Sequence, residues 1–389
     1  MKGCLIVMRG DTGVSSVFVT DKGPDPVVPG RSFTAGQGGV LVDGVFLQSG
    51  RAGRVGGAVV TCLEADSVAG GCIEVELGGM VGSSLASIET MHAIASAGLS
   101  REPVLILGES GTGKELAAGY LGQLAGSIYE VNMGAVPPDL AEAELFGSNR
   151  GAFTGAVESR EGALEAAGRG VLFLDELGEA PAWVQSKLLR AIDSRRFRRL
   201  GSSREQHLAA RVVAATSVDP VEGVADGRLR LDLLERLACH VIRITPLRRR
   251  PSDIPSLVRL FCTRLGGTMG IGGIARPTAA VIDLLRRWPW PGNVRELKNV
   301  VARVLLVSSS GLTNTALVRE ALEAGRLHMA AAGPDAASAE PPQPRSSEIM
   351  ALAMPRSTYY YRLKRGMIPS DTGPRRAVNS SSSKTLREP

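Results

Sequence analysis

An apolar run, Val104 to Leu107, leads into Gly108, Glu109, Ser110, Gly111, Thr112, Gly113, Lys114 and Glu115, and then into a helical pattern. A G-x-x-x-x-G-K segment between strand and helix suits phosphate chemistry. Its glycines let backbone N–H groups curl round an anion at a helix N-terminus, while Lys114 reaches the β and γ phosphates of a nucleotide. About 60 residues on, the apolar run GVLFLDE ends in Asp175 and Glu176. A buried strand that delivers two carboxylates at its end lets Asp175 hold Mg²⁺ and Glu176 orient and polarise an attacking water. An acid pair that merely opens a helix is the alternative, but it leaves the phosphate loop without a metal partner. Glu115 stands where a Ser or Thr usually helps hold the metal, so the metal must lean on other ligands.

The elements that must position these groups are legible as changes in pattern. Residues 1–78 read as short strands, VFVTD, GVLVDGVFL, AVVTCLEAD and GCIEVELGG, parted by Gly and Pro turns at spacings suited to a small β-sandwich or barrel. This β-rich module resembles a forkhead-associated sensory domain only through PGRS at Pro29 to Ser32, and Arg31 is read as structural. Residues 79–248 alternate apolar β-runs with helical stretches (PVLILGES, SIYEVNM, GVLFLDEL, ARVVAATSV, HVIRITPL), which indicates an α/β parallel sheet covered on both faces. Residues 249–327 look wholly helical. The stretch 328–347 is a low-complexity linker, 348–368 a short helical pattern and 369–389 a Ser-rich tail expected to be disordered.

At 389 residues the chain is too long for one ordinary core. Aromatics at 4% are sparse, so the cores must be built from Val, Leu, Ile and Ala. A net charge of +6 on so long a chain says little by itself, but past residue 341 basic residues outnumber acidic ones about threefold, a local bias that phosphate backbones attract. Cys4, Cys62, Cys72, Cys239 and Cys262 form no C-x-x-C pair, and His92, His207, His240 and His328 show no metal-ligand spacing, so thiols are expected ahead of zinc or disulfides. The opening apolar run is too short for a signal peptide, and no stretch approaches the roughly 18 apolar residues of a membrane span. A cytoplasmic location without a membrane partner is expected.

The order and spacing of GESGTGKE, ELFG, GAFTGA, FLDE, QSKLLRAID, FRRLG, AATS, LDLLERL, PLRRRPSDIP and WPGNVREL, over roughly residues 84–308, resemble the sigma-54-dependent activators, or bacterial enhancer-binding proteins, of the AAA+ ATPases. The resemblance implies an AAA+ sheet with a helical lid, a hexameric ring with ATP and Mg²⁺ between subunits, and sigma-54 RNA polymerase holoenzyme as partner. GAFTGA, Gly151, Ala152, Phe153, Thr154, Gly155 and Ala156, is its most diagnostic element and implies a loop whose Phe153 and Thr154 touch sigma-54. Asn132 matches the asparagine that holds the catalytic glutamate, Thr216 the γ-phosphate sensor and Arg295 the lid arginine that senses nucleotide. Arg230 and Arg236 match arginine fingers that reach a neighbouring subunit's ATP, although on spacing alone they would form solvated salt bridges. The chain departs from the pattern at Ser217, where Asn is usual, at Leu234 and Glu235, where aromatics are usual, and in the shortened AAGYLGQLAGSI after the phosphate-loop helix.

Met354 to Ile368 resembles the recognition helix of a Fis-type helix-turn-helix, which implies that Arg356, Ser357, Thr358, Tyr360, Arg362 and Lys364 face upstream promoter DNA. A solvated basic helix is the alternative. The function implied is ATP-driven remodelling of sigma-54 polymerase at promoters. The competing readings are an AAA+ protein-remodelling ATPase and a nucleotide-regulated DNA-binding repressor, neither acting on sigma-54.

Overall fold

The computed structural model describes residues 2–10, 13–20, 23–25, 33–36, 39–42, 45–55, 58–67, 73–152, 158–269, 276–308 and 312–330. Nine N-terminal strands come first: β1 (Lys2–Gly10), β2 (Gly13–Thr20), β3 (Gly23–Asp25), β4 (Phe33–Gly36), β5 (Gly39–Val42), β6 (Val45–Gln48), β7 (Arg51–Val55), β8 (Ala58–Ser67) and β9 (Ile73–Leu77), followed by β10 (Met80–Gly82). They form two antiparallel sheets, one of seven strands in the order β10-β9-β8-β1-β2-β3 with β7 also on β8, and one of β4-β5-β6. The described residues of the four named runs include strands in each, GVLVDGVFL giving two, β5 and β6. Another strand is KGCLIVMRG, which the pattern left unassigned and which lies between β2 and β8, Ile6 opposite Val17 on one side and Cys62 on the other. Arg31 lies outside the described residues.

The expected boundary at residue 78 does not divide two interiors. Gly78 and Gly79, both at positive φ (56° and 84°), make a two-residue turn that pairs β10 with β9. The seven-stranded sheet then packs on α1 (Leu85–Ala97) and α2 (Lys114–Ala125). Val7, Leu63, Val75, Leu77 and Met80 share one apolar cluster with Ile88, Met91, Ile94, Ala117 and Tyr120. Two polar ties cross the same seam: a 2.8 Å hydrogen bond between buried Thr61 and His92, and one from the Tyr120 hydroxyl to the Gly50 carbonyl.

The next layer is a parallel sheet of β11 (Val104–Leu107), β12 (Ile128–Asn132), β13 (Val171–Asp175), β16 (Arg211–Thr216) and β17 (His240–Arg243), ordered β12-β13-β16-β11-β17. Because strand side chains alternate, Leu105, Leu107, Leu172, Leu174, Val212 and Ala214 enter one core, and Val104, Ile106, Val171, Phe173, Val213 and Ala215 enter the other. The first core is closed by α3 (Pro138–Phe146), α4 (Ala163–Ala166), α5 (Ala182–Ser194) and α7 (Leu231–Leu237); α6 (Pro220–Ala225) is short, and the hairpin of β14 (Arg196–Arg198) and β15 (Glu205–His207) projects after α5.

The helical lid comprises α8 (Ile254–Met269), α9 (Ala279–Arg286), α10 (Asn293–Val307) and α11 (Thr315–Ala330), packed around fully buried Trp290, whose indole N–H donates to the Leu285 carbonyl at 2.8 Å. Trp288 is partly buried against the same core. The α11 helix runs through residue 330, so the start of the expected linker is helical. Backbone contacts divide the chain into Met1–Ala337 and Ser338–Pro389, and every described residue falls in the first unit. Among the described residues no helix is long and apolar enough to cross a membrane, and Cys62, Cys239 and Cys262 carry no disulfide.

Candidate nucleotide site

Strand β11, between β16 and β17, ends at the phosphate loop, and Gly113, at φ 109°, starts α2 at Lys114. Lys114 is 6% exposed, and its Nζ donates to the Gly108 carbonyl at 3.0 Å and to Glu176 Oε1 at 3.4 Å. The loop glycines are required where they stand: Gly111 sits at φ 76°, and a Cβ there would lie 2.5 Å from the Gly292 carbonyl oxygen of the lid. Gly111, Thr112, Lys114, Asp175, Glu176 and Arg295 line one 480 Å³ cleft between sheet and lid.

Asp175 and Glu176 close β13 beside the loop. Burial, and then the neighbouring Glu176 charge, hold the Asp175 carboxyl above the usual carboxylate range. Its Oδ1 is buried and has no hydrogen-bond partner. A desolvated carboxylate oxygen without a partner, next to a phosphate cradle, fits a hard divalent cation such as Mg²⁺. Glu176 occupies a left-handed backbone position, φ 49°. Burial works to raise its carboxyl, but the Ser217 hydroxyl and Lys114 outweigh burial and hold it below the usual range.

The sensing residues differ from expectation. Asn132 does not touch Glu176: its amide donates to Asp175 Oδ2 at a long 3.5 Å, and its Oδ1 accepts the Gly134 N–H at 2.9 Å. The cause is sheet register, since β12 pairs with β13 so that Asn132 lies opposite Asp175, one residue short. Glu176 turns instead to the end of β16, where Ser217 donates to its Oε2 from Oγ at 2.6 Å and from the backbone N–H at 3.2 Å. Thr216 is fully buried, and its hydroxyl accepts the Val218 N–H at 3.1 Å rather than lining the cleft.

The lid grips the phosphate loop from above. Arg295 donates to Ser110 Oγ at 3.0 Å and lies 3.9 Å from Glu115, while the Val294 and Arg295 N–H groups donate to the Gly111 carbonyl. PLRRRPSDIP, recognised as a motif without assigned roles, supplies further contacts. Arg248 makes a bidentate pair with Glu109 at 2.7 and 2.6 Å, and together with Asn293 it holds the Glu109 carboxyl below its usual range against burial. Asp253, fully buried, accepts from the Ser83 and Ser84 N–H groups and from the Ser84 and Ser87 hydroxyls, at 2.6 to 2.9 Å. Arg250 bridges Ser87 Oγ and the Thr112 carbonyl at 3.0 and 3.3 Å. The run S-S-x-x-S from Ser83 to Ser87, which opens α1, was the available signal for the Asp253 anchor.

Arg230 and Arg236 lie outside this cleft. Arg230 opens α7 and pairs with Asp232 at 2.7 Å; Arg236 pairs with Asp193 at 2.8 Å; both side chains are 40% exposed. Of GAFTGA, Gly151 (φ 77°) and Ala152 are described, whereas Phe153, Thr154, Gly155 and Ala156 lie outside the described residues. The neck of that segment is closed by a reciprocal backbone pair between Ser148 and Arg160, at 2.9 and 2.8 Å. The six DNA-facing residues expected between 356 and 364 also lie outside the described residues.

Residues 80–244 match the family described as the Sigma-54 interaction domain, and residues 248–333 match the AAA+ ATPase lid domain. Residues 80–244 are therefore a sigma-54 interaction domain, and an AAA+ lid domain follows it. It is 41% identical over 287 residues to the nitric oxide reductase transcription regulator NorR1 of Cupriavidus necator, covering 70% of this chain and 55% of that protein. It is 40% identical over 260 residues to the nitrogen fixation protein VnfA of Azotobacter vinelandii (66% and 50%) and 37% identical over 284 residues to the formate hydrogenlyase transcriptional activator FhlA of Escherichia coli (72% and 39%). The chain therefore spans about half the length of the first two relatives and less of the third. Among solved structures, NtrX from Brucella abortus in complex with ATP has a TM-score of 0.57 at 28% identity, covering 74% of this chain and 61% of that one. Its complex with ADP gives 0.58 at 27% (74% and 62%). The expected α/β architecture with a helical lid is present.

Proposed function

We propose that this chain is an ATP-hydrolysing transcription activator that remodels sigma-54 RNA polymerase. The observation that carries the reading is the convergence of Lys114, Asp175 and Glu176 in one cleft, on the same sheet whose β12–β13 crossover carries GAFTGA. ATP enters between the phosphate loop and Arg295, with its β and γ phosphates at Lys114 and the backbone N–H groups of Gly111 and Gly113. Asp175, through its unpartnered Oδ1, would hold Mg²⁺, which when bound neutralises charge on the transferring phosphoryl group. Glu176 is held ionised and can orient water and accept its proton, once it gives up one of the donors that now fill both its oxygens.

Arg230 and Arg236 stand away from their own cleft on an exposed surface. The reading therefore gives them to a neighbour's ATP across a ring interface, with a hexamer as the expected assembly. Each would have to leave the carboxylate that pairs with it in the single chain. Phe153 and Thr154 press on sigma-54, residues 356–364 tether the ring to upstream promoter DNA, and the N-terminal sheets gate assembly in the cytoplasm. Transcription in vitro with sigma-54 holoenzyme tests the reading. Wild type should form ATP-dependent open complexes, Thr154→Ala should hydrolyse ATP without forming them, and Glu176→Gln should bind ATP with hydrolysis reduced about 10² to 10⁴-fold. Equal open-complex yields with wild type and Thr154→Ala overturn the loop assignment.

A further inference from the structure

The hairpin of β14 and β15 is not used by the nucleotide site, yet half of the chain's surplus charge gathers around it. Lys187, Arg190, Arg196, Arg198, Arg199 and Arg204 line two adjoining clefts there, the larger of 970 Å³. They face three carboxylates: Glu142 on Lys187, Glu165 bidentate on Arg199, and Glu205 shared between Arg196 and Arg198 at 3.3 and 2.8 Å. The excess of three cations compares with +6 for the whole chain. The hairpin is also built onto the neck of GAFTGA: Leu200 donates to the Gly147 carbonyl at 2.9 Å, Asn149 donates to the Leu200 carbonyl at 3.0 Å, and a Cβ on Gly201 would lie 2.9 Å from that of Ala152. Whatever the hairpin touches is held beside the partner of that loop.

We propose that this hairpin is a contact for the phosphate backbone of duplex DNA, an inference that rests on the activator reading. A protein partner needs desolvated apolar anchors at the centre of its interface. Here Phe197 is buried and no large apolar side chain from Lys187 to His207 is exposed, while the exposed Trp183 one turn earlier on α5 lies under Lys187, whose Nζ is 5.9 Å from its ring centroid. What the hairpin offers is guanidinium forks, the groups best matched to phosphate. Arg196 and Arg198 leave β14 two residues apart, on one face and about 6.6 Å along it, on the scale of the separation between neighbouring phosphates of one DNA strand. Glu205 is the internal counter-charge that the phosphates would displace, and Ser202 and Ser203 lie at the tip between the strands; contacts to phosphate carry no base information, so the contact is sequence-independent.

The test is anisotropy of a short fluorescent duplex of arbitrary sequence, titrated with the full chain across a salt series. Arg196→Gln/Arg198→Gln, at side chains 66% and 57% exposed, should leave ATPase activity unchanged and make the slope of log affinity against log salt shallower by about 1.8 for each engaged hairpin. A slope equal to wild type overturns the proposal. So does loss of sigma-54 binding with the DNA slope intact, which would make the hairpin a protein contact. If the double variant loses ATPase activity, Arg204→Gln at the tip gives a second reading, a slope reduced by about 0.9. Failure of the activator reading is separately visible: wild type would then form no ATP-dependent open complexes with sigma-54 holoenzyme, whatever the slopes.

Discussion

Ser217→Ala isolates the group that holds the catalytic carboxylate. Glu176 Oε2 accepts from the Ser217 hydroxyl at 2.6 Å, the shortest bond to that carboxylate, and the Glu176 side chain is 23% exposed. A hydrogen bond to a charged group contributes about 1.5 to 3 kcal/mol, and partial exposure argues for the lower figure. Losing it raises the Glu176 carboxyl back towards its ordinary value. The sign follows from the chemistry: the base works ionised, so a higher pKa leaves less of it at any pH on the acidic limb. Phosphate release measured across pH at saturating ATP should show that limb displaced upward in Ser217→Ala, with a loss of rate of roughly tenfold on the slope, the equivalent of one such hydrogen bond, and a small change on the plateau. Ser217→Thr keeps a hydroxyl and should keep the wild-type limb. An alanine profile that overlays wild type, or a threonine profile displaced as far as alanine, refutes the assignment.

If Arg236 serves a neighbour's site, Arg236→Ala and Lys114→Ala should each be inactive alone and regain ATPase activity when mixed, because mixed interfaces restore one intact site; no recovery at any ratio places the arginine in its own site. Asp253→Ala removes an acceptor of four hydrogen bonds and leaves buried Arg250 without its carboxylate. It should cost about 3 to 5 kcal/mol, read as a lower urea midpoint at unchanged slope; a midpoint within error of wild type contradicts the anchor. Gly111→Ala puts a Cβ 2.5 Å from the Gly292 carbonyl. It should weaken ATP binding at least tenfold while the fold persists, and unaltered affinity means that the lid yields freely.

The chemistry of the cleft was legible because each part is local in sequence. A strand feeding a glycine loop and a helix, and a strand ending in two acids, need only their own neighbours to be read. What failed needed the register of one strand against another: Asn132 and Glu176 look matched until β12 and β13 are aligned and Asn132 falls opposite Asp175. The Ser217 substitution was visible, but its contact depends on the left-handed turn at Glu176, which sequence does not announce. The lid's hold on the phosphate loop through Arg248, Arg250 and Asp253 was similarly hidden, because its partners are more than a hundred residues away. At the N-terminus, KGCLIVMRG lacks the alternation that marks a half-buried strand, and Gly78-Gly79 reads as a spacer although it is a hairpin turn.

The seam between the seven-stranded sheet and α1 and α2 limits how this protein can be taken apart. Severing the chain at residue 78 would leave β10 without β9 and open Met91, Ile94 and Tyr120 to water, since Val75 and Leu77 are the wall that covers them. Met80 and Val81 reach from the same strand pair into the lining of the nucleotide cleft. A graft that fits this ATPase with another protein's sensor must therefore cut beyond Gly82 and repaint two helix faces, or the recipient will aggregate before it can be asked to respond to anything.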